Sequence, residues 1–125
     1  MFDAAASMSS RQLTSVAYYT RIALEHWFTS EEFRKYPLFA GTSAELSSEE
    51  QEIVCRWLAE IEQRENRPID QLDRETILRY TGELSGMALR RAEAERGPID
   101  PERAQRLLEE LRRAVPLPSE LRKAG

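Results

Sequence analysis

Residues 10–29 read SRQLTSVAYYTRIALEHWFT, and this stretch decides the fold. At 100° per residue it predicts one helix, in which a broad arc of apolar side chains faces a core. That arc holds Leu13, Val16, Ala17, Leu24, Trp27 and Phe28. The opposite side is not polar, because Tyr19, Ile22 and His26 cluster there within about 60°. A helix that is apolar on nearly all sides is either central in a bundle or part of an interface.

The next segment contains a short helix, a turn-rich loop and a second main helix. Ser30 is the predicted N-cap of a short helix that runs to residue 36, and Pro37 then breaks the chain into the turn-rich residues 37–46. Ser47 and Glu50 have the spacing of a capping box, which predicts that a helix opens there and continues to about residue 65. The apolar face of this helix holds Ile53, Val54, Trp57, Leu58 and Ile61.

A third main helix follows the stop signal Asn66-Arg67-Pro68. Either Asp70 or Asp73 can cap it, and Gly97-Pro98 ends it. Glycine destabilises a helix interior by about 1 kcal/mol relative to alanine, so Gly82 and Gly86 predict a close helix crossing that offsets this cost. The predicted buried stripe is Ile77, Thr81, Leu84, Ala88 and Ala92.

The last helix begins with Asp100 as N-cap and Pro101 at its first position, and Pro116 ends it. Its single narrow apolar stripe consists of Ala104, Leu107, Leu108, Leu111 and Val115. No stretch alternates apolar and polar residues as a half-buried strand would. The sequence therefore predicts an all-α helical bundle of four main helices plus one short helical turn, in one domain over residues 1–118, with residues 119–125 as a mobile tail.

Composition limits the classes of function. With 125 residues, 41% of them hydrophobic, the chain has enough apolar surface for one packed core. One cysteine, Cys55, and one histidine, His26, supply neither an internal disulfide nor a structural zinc site, so we expect no metal and no cofactor. Residues 1–8 lack the features of a secretory signal, and no segment approaches the roughly 20 apolar residues that span a bilayer. We therefore expect no membrane association and a cytoplasmic location.

The cationic residues are unevenly distributed and almost all arginine. Residues 1–85 hold nine Lys/Arg against fifteen Asp/Glu, whereas residues 86–125 hold nine against seven. In the last helix Arg103, Arg106 and Arg113 lie within about 80° of one another, opposite the leucines, and such a strip is able to follow a nucleic-acid backbone. The alternative is a solvated face held by the i,i+4 pairs Glu102–Arg106 and Glu109–Arg113, with Glu110 inside the strip.

No catalytic constellation is evident, since the single histidine has no serine on its own side of the helix and Cys55 has no cation nearby to activate it. The string Arg21-x4-His26 resembles the short motif of HEPN-type helical ribonucleases. That resemblance implies phosphate binding by both side chains. On one regular helix, however, positions five apart point about 140° away from each other, so a partner chain would have to complete such a site.

Residues 67–115 resemble the helical type of chorismate mutase, because IDQLDR at 69–74 opens a long helix and GPIDPER at 97–103 starts the next. The resemblance implies isomerase activity on a dicarboxylate held by cations of both helices. At the two cationic positions of the family's long helix this sequence has Glu83 and Ala94. Arg103 matches the arginine after the inter-helix loop, but Ala104 stands where the family has glutamate. The electrostatic clamp on the substrate is therefore incomplete.

These observations favour a non-catalytic helical subunit of a larger assembly. Tyr18, Tyr19, Ile22 and His26 are the predicted partner-binding residues, through which we expect a protein partner or self-association. In size and helical content the chain is similar to the small subunits of CRISPR effector complexes, which implies nucleic-acid contact through Arg103, Arg106 and Arg113. A small regulator or antitoxin-like helical partner is a further alternative.

Overall fold

The computed structural model describes residues 2, 5–35, 46–98 and 100–114, without the side chains of residues 107, 108 and 110–114. These residues form five helices: α1 (Ser10–Glu25), α2 (Ser30–Lys35), α3 (Ser48–Glu65), α4 (Arg74–Arg96) and α5 (Pro101–Ala114). Two single 3-10 turns, Ala5–Ser7 and Ile69–Gln71, precede α1 and α4. The described residues contain no strand, and the prediction of an all-α bundle of four main helices plus one short helical turn is confirmed.

Several predicted features lie outside the described residues. They are the loop at 37–45, the side chains of Leu107, Leu108, Leu111 and Arg113, the residues Val115 and Pro116, and the tail at 119–125. Within the described ranges, no helix combines the length and the apolar character needed to cross a membrane.

Helix α1 is the centre of the bundle. It packs against α4 along much of its length and against α3 as well, while α2 packs on α3. Three hydrogen bonds show that α1 and α4 run antiparallel: the Ser10 amide donates to Glu95 Oε1 (3.0 Å), Arg21 Nη1 donates to Ser85 Oγ (3.0 Å), and the Trp27 indole donates to the Leu72 carbonyl (3.0 Å). Because α3 and α4 both cover α1, its apolar residues are buried on both sides.

The apolar face predicted for α3 is confirmed, since all five of its residues are buried. Cys55, which is not part of that apolar face, is buried as well and only 1% exposed. The reason is that α2 also packs on α3, so the covered part of α3 is wider than its apolar arc. This burial raises the pKa of the Cys55 thiol above its ordinary value.

The helix termini follow the predicted capping chemistry in most cases. Ser47 and Glu50 form the capping box of α3, and Asn66 ends that helix in the left-handed conformation, with φ 56°. Of the two candidates for α4, Asp73 is the N-cap, and its carboxylate accepts from the Thr76 amide at 2.9 Å. At α5, Asp100 Oδ1 accepts from the Arg103 amide at 2.8 Å.

The boundary between α1 and α2 differs from the prediction. Helix α1 ends at Glu25 instead of continuing to residue 29, because Trp27 adopts the left-handed conformation (φ 53°) and turns the chain. Thr29 rather than Ser30 then caps α2, and its hydroxyl accepts from the Glu32 amide at 3.1 Å. Ser30 instead donates its hydroxyl to Glu62 of α3.

The prediction of a close helix crossing at Gly82 and Gly86 is wrong. Gly82 is exposed, and a Cβ atom built there would meet nothing within 4 Å. A Cβ atom at Gly86 would meet only the flexible Arg90 side chain, at 3.2 Å. The buried stripe of α4 lies on another side of the helix and includes the predicted Ile77, Thr81 and Leu84 together with Thr76 and Tyr80, while Ala88 and Ala92 are half-buried. The two glycines therefore lie beside the packed face.

Candidate functional site

Three of the four predicted partner-binding residues are part of the core. Tyr18, Tyr19 and Ile22 are 5%, 1% and 2% exposed, and His26 is half-buried. The expectation that they form an outward contact surface is therefore wrong. Its physical cause is the central position of α1, which packs against both α3 and α4.

Arg21 of the Arg21-x4-His26 string is held by groups of its own chain. Its Nε donates to Glu25 Oε1 at 2.7 Å, and its Nη1 donates to Ser85 Oγ at 3.0 Å. His26 is the C-cap of α1, and its backbone amide donates to the Ile22 carbonyl at 3.1 Å. Arg21 thus ties α1 to α4, and a carboxylate already occupies the guanidinium that a phosphate would need.

The positions that correspond to the cations of chorismate mutase face solvent. Glu83 and Ala94 of α4 are both exposed, and so is Arg103 of α5. The described residues therefore place one carboxylate and one methyl group where the resemblance requires cations around a dicarboxylate. This geometry gives no support to a substrate clamp.

Acidic residues of α3 have fixed structural roles that the sequence analysis did not identify. The Glu62 carboxylate accepts from the Ser30 hydroxyl and from the Ile69 amide, the latter at 3.2 Å, and so holds α2 and the turn before α4 against α3. Glu65 Oε2 accepts from the Tyr80 hydroxyl at 2.7 Å, and Glu65 Oε1 lies 3.6 Å from Arg79 Nη2. The sequence signal for these roles is weak, because one helix carries many similar glutamates.

The arginines of α5 form the most exposed cationic feature among the predicted sites. Arg103 and Arg106 are both exposed, while Arg113 belongs to the same helix with its side chain outside the described part. The predicted pair Glu102–Arg106 does not form: among the described side chains no carboxylate lies within 4 Å of either Arg103 or Arg106. Among the described side chains, Arg103 and Arg106 are thus exposed without a carboxylate partner, while the side chain of Glu110 lies outside the described part.

Among the side chains that the structure describes, three large apolar ones are exposed, and the sequence did not predict any of them as surface residues. Trp27 is 40% exposed although it was assigned to the core arc, and its indole N–H is fixed on the Leu72 carbonyl. Leu78 and Leu89 of α4 are 57% and 37% exposed. The left-handed turn at Trp27 has no strong sequence signal, since tryptophan rarely adopts it.

Within the described ranges, no group of three or more His, Cys, Asp or Glu residues is arranged to hold a metal ion. Comparisons of the chain with family models, with curated proteins and with solved structures find no match. The geometry favours the arginine side of α5 as the candidate site.

Proposed function

We propose that this protein is a non-catalytic helical subunit of a larger assembly, in which α5 contacts a nucleic-acid backbone. The observation that carries the proposal is the exposure of Arg103 and Arg106, with no carboxylate within ion-pair distance among the described side chains. An exposed guanidinium has a planar set of donors that matches the oxygens of a phosphate. We place this role in the cytoplasm.

The spacing along α5 fits a repeating anionic partner. A helix rises about 1.5 Å per residue, so Arg103 and Arg106 are about 4.5 Å apart along the axis and Arg113 is about 15 Å from Arg103. Phosphates of one DNA strand follow each other at about 3.4 Å along the duplex axis. Three arginines on one side of α5 therefore span several consecutive phosphates.

The rest of the protein surface restricts how a polyanion approaches. Exposed glutamates occur on α2, α3 and α4, and residues 1–85 carry fifteen acidic residues against nine cationic ones. Phosphate is repelled from that part of the surface. The C-terminal part has the opposite balance, so a nucleic acid is directed to α5.

The test is the salt dependence of binding by the triple variant Arg103→Ala/Arg106→Ala/Arg113→Ala. Fluorescence anisotropy with labelled single-stranded and duplex oligonucleotides would be measured from about 20 to 200 mM salt. Because each lost phosphate contact lowers the slope of log K against log salt by about 0.9 for duplex DNA, we expect a reduction of about 2 to 3. The matched control removes three exposed arginines elsewhere, in Arg11→Ala/Arg56→Ala/Arg74→Ala, and should leave the slope nearly unchanged.

Two results contradict the proposal. One is the absence of binding to every oligonucleotide at the lowest salt concentration. The other is an equal loss of slope in the α5 variant and in the control variant, since net charge alone would then account for the binding.

A further inference from the structure

The residues that precede α1 form a strap across the bundle, which consists of Phe2 and residues 5–8. The Phe2 ring packs on the Trp57 ring of α3, with 4.9 Å between the ring centroids. The Phe2 amide donates to Glu60 Oε2, also of α3, at 3.1 Å. One end of the strap is therefore fixed to α3 by a ring contact and by a hydrogen bond.

The strap also reaches α4. Arg91 Nη2 of α4 donates to the Ala5 carbonyl at 3.2 Å. Helices α3 and α4 each pack on α1 more than on each other, so the strap connects two helices that are otherwise held mainly by a third. Trp57 is fully buried, and the Phe2 side chain, which is 3% exposed, is part of its cover.

Backbone strain and a small number of anchors limit how firmly the strap is held. Phe2 has φ 60°, a left-handed conformation that is unfavourable for a bulky side chain. Among the described strap residues only Phe2 and Met8 are buried, whereas Ala6 and Ser7 are exposed. The loss of backbone freedom in every ordered residue opposes the gain from burying two side chains. The strap is therefore held less firmly than α1, whose apolar residues are buried against two helices.

Helix α1 does not need the strap for its own N-terminus. Ser9 and Gln12 form a capping box, and the Ser10 amide donates to Glu95 of α4 at 3.0 Å. We propose that the strap is a reversible cover, which opens as a unit at Ser9 while α1, α3 and α4 stay folded. The closed form buries Trp57 and the open form uncovers it, so the strap controls access to an aromatic side chain of the core. This device uses none of the α5 arginines, so it does not depend on the nucleic-acid role.

The first test compares amide hydrogen exchange in the strap and in α1 of the wild-type chain. The Met8 amide donates to the Ala5 carbonyl at 3.3 Å, and Val16 is fully buried in α1. Because the strap opens without global unfolding, the protection factor of the Met8 amide should be at least about a hundredfold below that of the Val16 amide. Low concentrations of urea should speed exchange at Val16 and leave exchange at Met8 nearly unchanged, since a local opening exposes little surface.

The second test supplies the strap as a separate peptide. A peptide of residues 1–12 with a fluorescent label at its C-terminus is titrated with full-length Phe2→Ala, whose helical content is checked by far-UV circular dichroism. Phe2→Ala should bind the peptide at least about tenfold more tightly than wild type does, because the wild-type strap competes at the high effective concentration of a linked segment. Ala6→Ser changes an exposed residue of the same strap and should bind the peptide as wild type does. A peptide with alanine in place of Phe2 should bind neither protein.

Any of four results overturns the strap proposal. The first is a Met8 amide with the same protection and the same urea dependence as Val16, because the strap would then open only with the whole fold. The second is a Phe2→Ala chain that loses its helical spectrum, since the bundle would then not stay folded without its cover. The third is a folded Phe2→Ala chain that binds the peptide no more tightly than wild type does. The fourth is equal binding of the peptides with and without the Phe2 ring.

Discussion

Helices α1 and α5 differ in how many of their sides are apolar and in how neighbouring helices cover those sides. Helix α1 is apolar on nearly all sides, and two helices cover it, so that Val16 and Ala23 are both fully buried. Helix α5 has one narrow apolar stripe by sequence and exposes Arg103 and Arg106. The number of apolar sides on a helix therefore predicts how many neighbours it needs. It does not predict whether those neighbours belong to the same chain.

The two helices should therefore differ in how strongly they are coupled to folding. Burial of a large apolar side chain contributes about 1.5 to 3 kcal/mol, and α1 has many such side chains within the bundle. A helix of 14 residues such as α5 is marginal in isolation. Substitutions in α1 should change global stability, whereas substitutions on the arginine side of α5 should change binding.

The largest expected effect is that of Ile22→Ala in α1. Ile22 lies on the side once expected to face a partner, and it is 2% exposed. Removing its buried carbons should lower the free energy of unfolding by about 2 to 5 kcal/mol, as measured by urea denaturation. Arg11→Ala, on the exposed side of α1, is the control and should change that free energy by less than about 0.5 kcal/mol. A loss below about 1 kcal/mol for Ile22→Ala would contradict the central position of α1.

An intermediate effect is expected from Tyr80→Phe. This substitution tests a hydrogen bond that anchors α4 to α3, and no such bond is described for α5. The Tyr80 hydroxyl donates to Glu65 at 2.7 Å, so its removal should lower the free energy of unfolding by about 1.5 to 3 kcal/mol. Burial, and then the hydrogen bond to Glu65, raise the pKa of Tyr80. A raised pKa means that the stabilisation is complete below the ordinary tyrosine pKa of about 10 and is lost as pH rises through the raised value.

The pH series tests whether the ionisable hydroxyl of Tyr80 accounts for the effect, because a packing defect alone would not depend on pH. Urea denaturation of wild type and Tyr80→Phe would be compared from about pH 8 to pH 11, across the ordinary tyrosine pKa. The difference between them should stay constant up to about pH 10 and shrink above it. A difference that is independent of pH over the whole range would assign the effect to packing and reject the role of the Tyr80–Glu65 bond.

Much of the fold follows from local sequence signals. The capping box at Ser47 and Glu50, the stop at Asn66 and the start at Asp100 all depend on residues within one turn of each other, and each occurs in the structure. The apolar face of α3 is likewise set by helical periodicity. These features could be predicted because no distant part of the chain is needed to specify them.

The candidate site was less predictable because exposure depends on distant contacts. The helical periodicity of α1 locates Tyr19 and Ile22 on one side, but only the packing of α3 and α4 on α1 shows that this side is covered. The glycines inside α4 predicted a close helix crossing, and only the structure shows that Gly82 faces solvent instead. The missing pair Glu102–Arg106 also depends on side-chain conformation, since helical spacing permits the pair without requiring it.

The smallest expected effects come from two arginines that sequence alone does not distinguish. Arg21 donates to Glu25 and to Ser85, so it connects α1 with α4, whereas Arg106 has no ion-pair partner among the described side chains. Arg21→Ala should lower the free energy of unfolding by about 1 kcal/mol, and Arg106→Ala should change it by less than about 0.5 kcal/mol. Thermal unfolding measured for both variants at the same ionic strength is sufficient to compare them. Equal losses of unfolding free energy would mean that α5 is coupled to the bundle as tightly as α1. The distinction between the two helices would then disappear, and Arg106 would be a structural residue instead of a free cationic contact.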